Sequence, residues 1–301
     1  PEGLRNQGWK DAADSIPSAD GSLPETPIAL AEVQAYVYGA YVARAHLARE
    51  AEDIATQHRY AAKASALRAA FEEAFWLPDR GYYAIGLDAE KRPIDALASN
   101  MGHCLWAGIV SPERAPEAVR HLLSDELFSG WGVRTLATSM ASYNPVSYHC
   151  GSVWPHDNAL IASGLMRYGF VDEAHRIIGA MLDAAAVAGG RLPELFSGVA
   201  REDVGVPVSY PTSCSPQAWA AASPLLFLRL LLRFDPQVRR GRLWCSPKLP
   251  EGIERLEVDG IPLAGRRVSV HVDGYGWRID GLDGALEVID RPRAPLTAEA
   301  P

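Results

Sequence analysis

Two stretches set a carboxylate beside aromatic and apolar residues in turn-rich sequence: Asp11 in "RNQGWKDAADSI" (5–16) and Glu194 in "GGRLPELFSG" (189–198). Glu194 stands among Leu192, Leu195 and Phe196, shaped by Pro193 and Gly198. Burying a carboxylate unpaired is costly, so it is either turned out to water or held for a purpose. Asp11 and Asp14 have the alternative of capping a short helix before Pro17, and Trp9 that of a core residue. Taken together, the two loops suit a general acid and a general base on opposite sides of a glycosidic bond. Aromatic faces such as that of Trp9 stack on the C–H faces of sugars.

A third stretch, "YNPVSYHCGSVWPHDNALIA" (143–162), is shaped by Gly151 and Pro155, with Trp154 and Tyr148 as flat surfaces. His156, Asp157 and Asn158 form a dense polar group before a helix, where Asp157 or Asn158 would serve equally as an N-cap. His149, His156 and Asp157 lack the i, i+4 spacing and third ligand of a metal site. No G-x-S-x-G, G-x-x-x-x-G-K or G-x-G-x-x-G occurs, which leaves serine hydrolases and nucleotide enzymes without support.

Helical periodicity positions these loops. Leu30, Val33, Val37, Tyr41 and Leu47 recur at helical spacing opposite Glu32, Arg44, Arg49 and Glu52, predicting one long helix from 28 to 57 with that apolar stripe inward. Further helices are predicted at 59–75, 95–108, 112–123, 157–168, 171–186 and 214–233. The long loops at 129–156 and 187–213 between them are where function is expected. After Pro236, "RLEVDG", "RRVSVHVDG", "WRIDG" and "ALEVID" alternate in the period-2 pattern of antiparallel strands.

The 301 residues are 48% hydrophobic and 22% charged, with a formal net charge of −8, so no basic field attracts nucleic acid. The most apolar run, "SPLLFLRLLLRF" (223–234), is too short to cross a membrane and carries Arg229 and Arg233. Cys104, Cys150, Cys214 and Cys245 are scattered, which fits a reducing cytoplasm better than a disulfide framework or a zinc site. The chain begins at Pro1 with no signal-peptide pattern, which predicts a piece of something longer.

"NQGWKDAADS", "YNPVSYHCGSVWPHDNALIA" and "RLPELFSG", supported by "FWLPDRGYYAIGLD", "ASNMGHCLWAGI" and "SGWGVRTLA", resemble the bacterial amylo-α-1,6-glucosidase or glycogen-debranching-type glycoside hydrolases. The resemblance implies a mainly α chain: about the last seven helices of an incomplete (α/α)6 toroid over 1–236, a small antiparallel β module over 237–290 and a tail over 291–301. It implies an upstream part of the same protein that closes the barrel. It makes Asp11, before the sixth helix, the general acid, and Glu194, before the twelfth, the general base of an inverting exo-acting α-glucosidase without metal or organic cofactor. Trp9, Lys10, Trp154, His156, Asp157 and Asn158 would then bind the sugar, with Glu32 and Gln34 as further pocket polars. Ala12 and Ala13 depart from the Ser and Trp that often follow this Asp in the family, and Asp14 stands as an alternative acid. The alternatives are an inverting phosphorylase on the same scaffold, against which Glu194 argues, and a non-catalytic carbohydrate-binding relic.

Overall fold

The computed structural model describes residues 6–297; the last four residues of the expected tail lie outside them. The helices are α1 (Ala31–Glu50), α2 (Ile54–Phe75), α3 (Asn100–Ala107), α4 (Ala115–Leu122), α5 (Pro155–Arg167), α6 (Val171–Val187) and α7 (Ala218–Leu232). Each of the expected helical segments is present, with its ends moved by up to seven residues. The chain's described residues divide into two compact units, 6–223 with 296–297, and Pro224–Pro295. The division falls at Pro224, inside α7, where a missing N–H interrupts the helical ladder.

In the first unit α1 packs on α2 and α3, α3 on α5, and α5 on α6. The stripe expected to face inward on α1 is corrected by the structure. Val37 and Leu47 are exposed, while Ala31, Glu32, Ala35, Tyr38, Val42, Ala45 and Ala48 are buried. Hydrophobicity alone points to the larger aliphatics, but alanines admit neighbouring helices at close range, so the small-residue face wins. The α3–α5 crossing is closer still: a Cβ on Gly164 would stand 2.7 Å from the Trp106 backbone nitrogen. That approach brings the middle of α3 against the first turn of α5.

α5 starts earlier than expected, with Trp154 in the cap position and Pro155 in its first turn. Proline has no N–H to satisfy there, so neither Asp157 nor Asn158 is needed as a cap. Short strands connect the helices: β1 (Ala29–Leu30), β2 (Trp76–Leu77), β3 (Tyr82–Tyr83), β4 (Gly86–Leu87) and β5 (Pro93–Ile94). β1, β4 and β5 form one antiparallel sheet and β2–β3 a hairpin. Ile16, Leu30, Ile85, Ile94 and Leu136 cluster beneath the first sheet. Ile16 ties the Asp11 loop to this core.

The second unit holds β6 (Asp235–Gln237), β7 (Arg242–Trp244), β8 (Leu256–Leu263), β9 (Arg266–Asp273), β10 (Gly276–Asp280) and β11 (Glu287–Ile289). β8, β9 and β10 form the antiparallel meander that alternation predicts. β11 departs from it, pairing in parallel with β7, which the intervening meander permits because the chain re-enters in the same direction. Among the described residues no helix is long and apolar enough to cross a membrane.

The α1 correction is testable by urea unfolding. Ala45→Leu overpacks the buried face and is expected to cost about 1–3 kcal/mol, while Leu47→Ala on the exposed face stays within about 0.5 kcal/mol. The reverse order would restore the larger aliphatics as the packed stripe.

Candidate active site

The Asp11 loop is not a capped helix but a set of turns pinned by side chains. Ser15 Oγ donates to the Lys10 and Ala12 carbonyls, Asn6 Nδ2 donates to Ser15 Oγ at 3.3 Å, and the Gly8 N–H donates to Asn6 Oδ1. Gly8 is dictated by crowding: a Cβ there would lie 2.7 Å from Glu32 Oε1 and collide with Leu30. The loop therefore runs directly over the α1 carboxylate, and Lys10 points inward, 1% exposed. Its ammonium donates to Asn100 Oδ1 at 2.7 Å and to the Thr135 carbonyl at 2.6 Å. Burial lowers the Lys10 pKa, against the opposing pull of Asp157 and Glu32.

Beneath Trp9 lies a buried polar group drawn from three helices. Glu32 of α1 accepts from Asn100 Nδ2 at 3.0 Å, and burial raises its pKa against that bond. Asp157 of α5 accepts from His103 Nε2 of α3 at 2.8 Å. Although burial pushes the Asp157 carboxyl up, the bond and charge of His103, with Lys10 and His156, leave it below the ordinary aspartate value. Its position in the first turn of α5 adds the favourable field of a helix N-terminus. Trp9 Nε1, Glu32 Oε1, Asp157 Oδ2 and both ring nitrogens of His156 are buried without a hydrogen-bond partner among the described residues. Buried polar atoms are ordinarily bonded, so such a concentration makes this group the candidate for holding a ligand rich in donors and acceptors.

Glu194 closes the group from the other loop. The pairing of Phe196 with both Val153 and Ser209 holds its segment. The carboxylate is 5% exposed, with Oε1 accepting from the Tyr148 hydroxyl at 2.8 Å and Oε2 from the Cys214 N–H at 3.1 Å. Burial raises the Tyr148 pKa, with the Glu194 bond and charge next and the charge of Asp11 adding to them. Asp11 thus lies within electrostatic reach of the tyrosine that holds Glu194. The Asp14 charge acts instead on Cys150.

The structure distributes the other expected residues unevenly. Trp9, Asp157, His156 and Glu32 each carry a buried polar atom without a protein partner among the described residues. Trp154 is buried, its indole stacked on His149 and its N–H bonded to the Tyr148 carbonyl and Ser152. Asn158 is spent on the Val133 and Trp154 backbones, and Gln34 donates to the Leu30 carbonyl. Lys10, Trp154 and Asn158 therefore brace the site from behind, because each polar atom named has a protein partner. Sequence reasoning missed Tyr36, Asn100, His103 and Trp219, the last stacked on His156 with centroids 3.8 Å apart. The signal for two of them was Asn100 and His103, three residues apart on an otherwise apolar eight-residue helix.

A family model described as the mannosylglycerate hydrolase MGH1-like glycoside hydrolase domain matches residues 3–197. No curated protein matches the sequence. Among solved structures, one described as a sialidase superposes with a TM-score of 0.75 at 14% identity, covering 97% of this chain and 28% of that one. The GH63 mannosylglycerate hydrolase from Thermus thermophilus in complex with glucose gives 0.54 at 21% identity, covering 67% and 45%. Neutral trehalase Nth1 from Saccharomyces cerevisiae gives 0.53 at 18%, covering 68% and 38%. These likenesses establish a shared fold, and the chain spans less than half of each of those proteins.

The buried rings make stability depend on pH. Burial holds His149 down to about 3, with Lys10 and His156 adding to it, and holds His156 down to about 4 against the pull of Asp157. Between the unfolded value of 6.5 and these values the unfolded chain binds more protons, so stability falls as pH falls, by up to about 1.4 kcal/mol per pH unit per histidine. Glu32, raised by burial, acts in the opposite sense. Melting followed from pH 7 to 4.5 should show a falling midpoint, with a shallower slope in His149→Phe. A flat wild-type profile would contradict the burial of both rings.

Proposed function

Because the chain belongs to the mannosylglycerate hydrolase MGH1-like glycoside hydrolase family, we propose that it is the acid–base half of an inverting exo-acting α-glycosidase. Its helices are read as part of an (α/α)6 toroid. The observation that carries this reading is the Glu194 carboxylate, held by the Tyr148 hydroxyl and the Cys214 N–H with Asp11 in reach of the same tyrosine. A base must hold a water, and the Tyr148 hydroxyl and the Cys214 N–H fix the direction of the Glu194 oxygens. Asp11, on the loop that also carries Trp9, is the general acid. Inversion requires the two carboxyl groups about 6.5–9.5 Å apart, with water on one side of the anomeric carbon and the leaving oxygen on the other.

The substrate is read as a terminal α-glucosyl unit, its ring on Trp9 and its hydroxyls on the open atoms of Asp157, Glu32 and His156. An α-1,6 linkage of the amylo-glucosidase type is one form of this. The family's own description favours a second reading, an α-mannosyl unit on a small acid. Incubation with isomaltose, maltose, trehalose and mannosylglycerate, followed by ¹H NMR of the first-formed sugar, separates them. β-Glucose from a glucoside is the expected result, and β-mannose from mannosylglycerate alone would replace it with the second reading. An α-configured mannose from mannosylglycerate, or α-glucose alone from trehalose, would overturn inversion.

Asp11→Asn and Glu194→Gln are each expected to lower kcat by about 10²- to 10⁴-fold with sugar affinity held within about tenfold. Asp14→Asn should keep most activity. If Asp14→Asn is the inactive variant and Asp11→Asn is not, the acid assignment passes to Asp14.

A further inference from the structure

His103 is 1% exposed, so it is shielded from a ligand by its neighbours, yet four parts of the site meet at its ring. On one side Nε2 bonds Asp157 Oδ1 at 2.8 Å, leaving Asp157 Oδ2 without a protein partner among the described residues. On the other, Nδ1 meets the Tyr36 hydroxyl at 2.5 Å. Its face stacks on Trp9, with centroids 5.5 Å apart and planes within 10°. Trp9 lies two residues before Asp11. α3 presents this ring, α1 supplies Tyr36, α5 supplies Asp157 and the pinned loop supplies Trp9.

Two consequences follow from donor chemistry. An ionised aspartate only accepts hydrogen bonds, so the proton between the two groups belongs to His103 Nε2. A carboxylate tied at one oxygen has its other oxygen fixed in direction, and that oxygen is the open one.

We propose that His103 is a positioning residue that couples the acid loop to the hydroxyl-binding carboxylate: through Nε2 it aims Asp157 at a sugar hydroxyl, and through its face it sets Trp9, and with it Asp11. The catalytic part of this assignment rests on the function proposed above. The geometric part does not, because the bond to Asp157 and the stack on Trp9 exist before any sugar binds. Tyr36 holds the far nitrogen and keeps the ring from turning over.

The test compares His103→Gln with His103→Leu in the full chain. Glutamine returns a donor to Asp157 and an acceptor to Tyr36, whereas leucine fills volume without either. A merely space-filling role predicts that leucine does as well as glutamine. Amide exchange followed by mass spectrometry should show residues 6–16 losing protection in His103→Leu and keeping it in His103→Gln. On the most rapidly cleaved glycoside of the panel, His103→Leu should lower kcat/KM at least about tenfold more than His103→Gln, with part of the loss in KM. Long-range ¹H–¹⁵N correlation on the wild type, which needs neither variant to fold, should find the His103 proton on Nε2. A bare Nε2, or equal exchange in the leucine variant and the wild type, would overturn the proposal even if glycoside cleavage is confirmed. Absence of any cleavage by the wild type, with these two readouts as expected, would instead overturn the proposed function and leave the coupling standing.

Discussion

The site rests on one constraint: Lys10, Glu32 and Asp157 are charged residues withdrawn almost completely from water. Removing one member of such a group strands the others, at a cost of about 3–5 kcal/mol in buried pairs. The fold must therefore deliver their partners together. Asn100 does so in both directions, accepting from Lys10 and donating to Glu32, and His103, one helical turn on, meets Asp157. The alanine face of α1 and the close α3–α5 crossing at Gly164 bring these partners within reach. The same network leaves one oxygen of Glu32 and one of Asp157 without a protein partner among the described residues, the atoms to which the proposed function assigns the sugar hydroxyls.

Much of this was legible in the sequence, and what was not has physical reasons. Period 3.6 located the helices and period 2 the meander, because both are local properties of the chain. The inward face of α1 was misread because hydrophobicity ranks Val37 and Leu47 above the alanines, while packing distance reverses that order. Asp11 and Glu194 stood out through their apolar and aromatic neighbours, and in the structure Glu194 accepts from Tyr148 while the Asp11 charge acts on the same hydroxyl. Lys10, Trp154 and Asn158 sit in the expected stretches but brace from behind. The direction of a side chain depends on partners such as Thr135 and Val133, more than a hundred residues from Lys10 in one case and on a separate loop in the other. Tyr36 and His103 went unread for the same reason: a polar residue inside an apolar helix has no visible partner until the helices cross.

Fold and function have different warrants here. A protein described as a sialidase, a trehalase and a mannosylglycerate hydrolase share this architecture at low identity, and one scaffold hosting several activities is common. Family membership supports a glycoside hydrolase. The particular chemistry is argued from the carboxylates: Glu194 has two donors on its oxygens, Asp11 lies on the exposed side, and the polar atoms beneath Trp9 suit hydroxyls.

The central claim is that Glu194 activates the water. It is tested most directly by replacing Glu194 with Gly and supplying azide with α-glucosyl fluoride, whose leaving group needs little help from an acid. The account predicts that azide enters the space of the base and its water and yields β-glucosyl azide. If the variant hydrolyses α-glucosyl fluoride at the wild-type rate without azide, or yields only α-glucosyl azide, Glu194 is not the base of an inverting reaction.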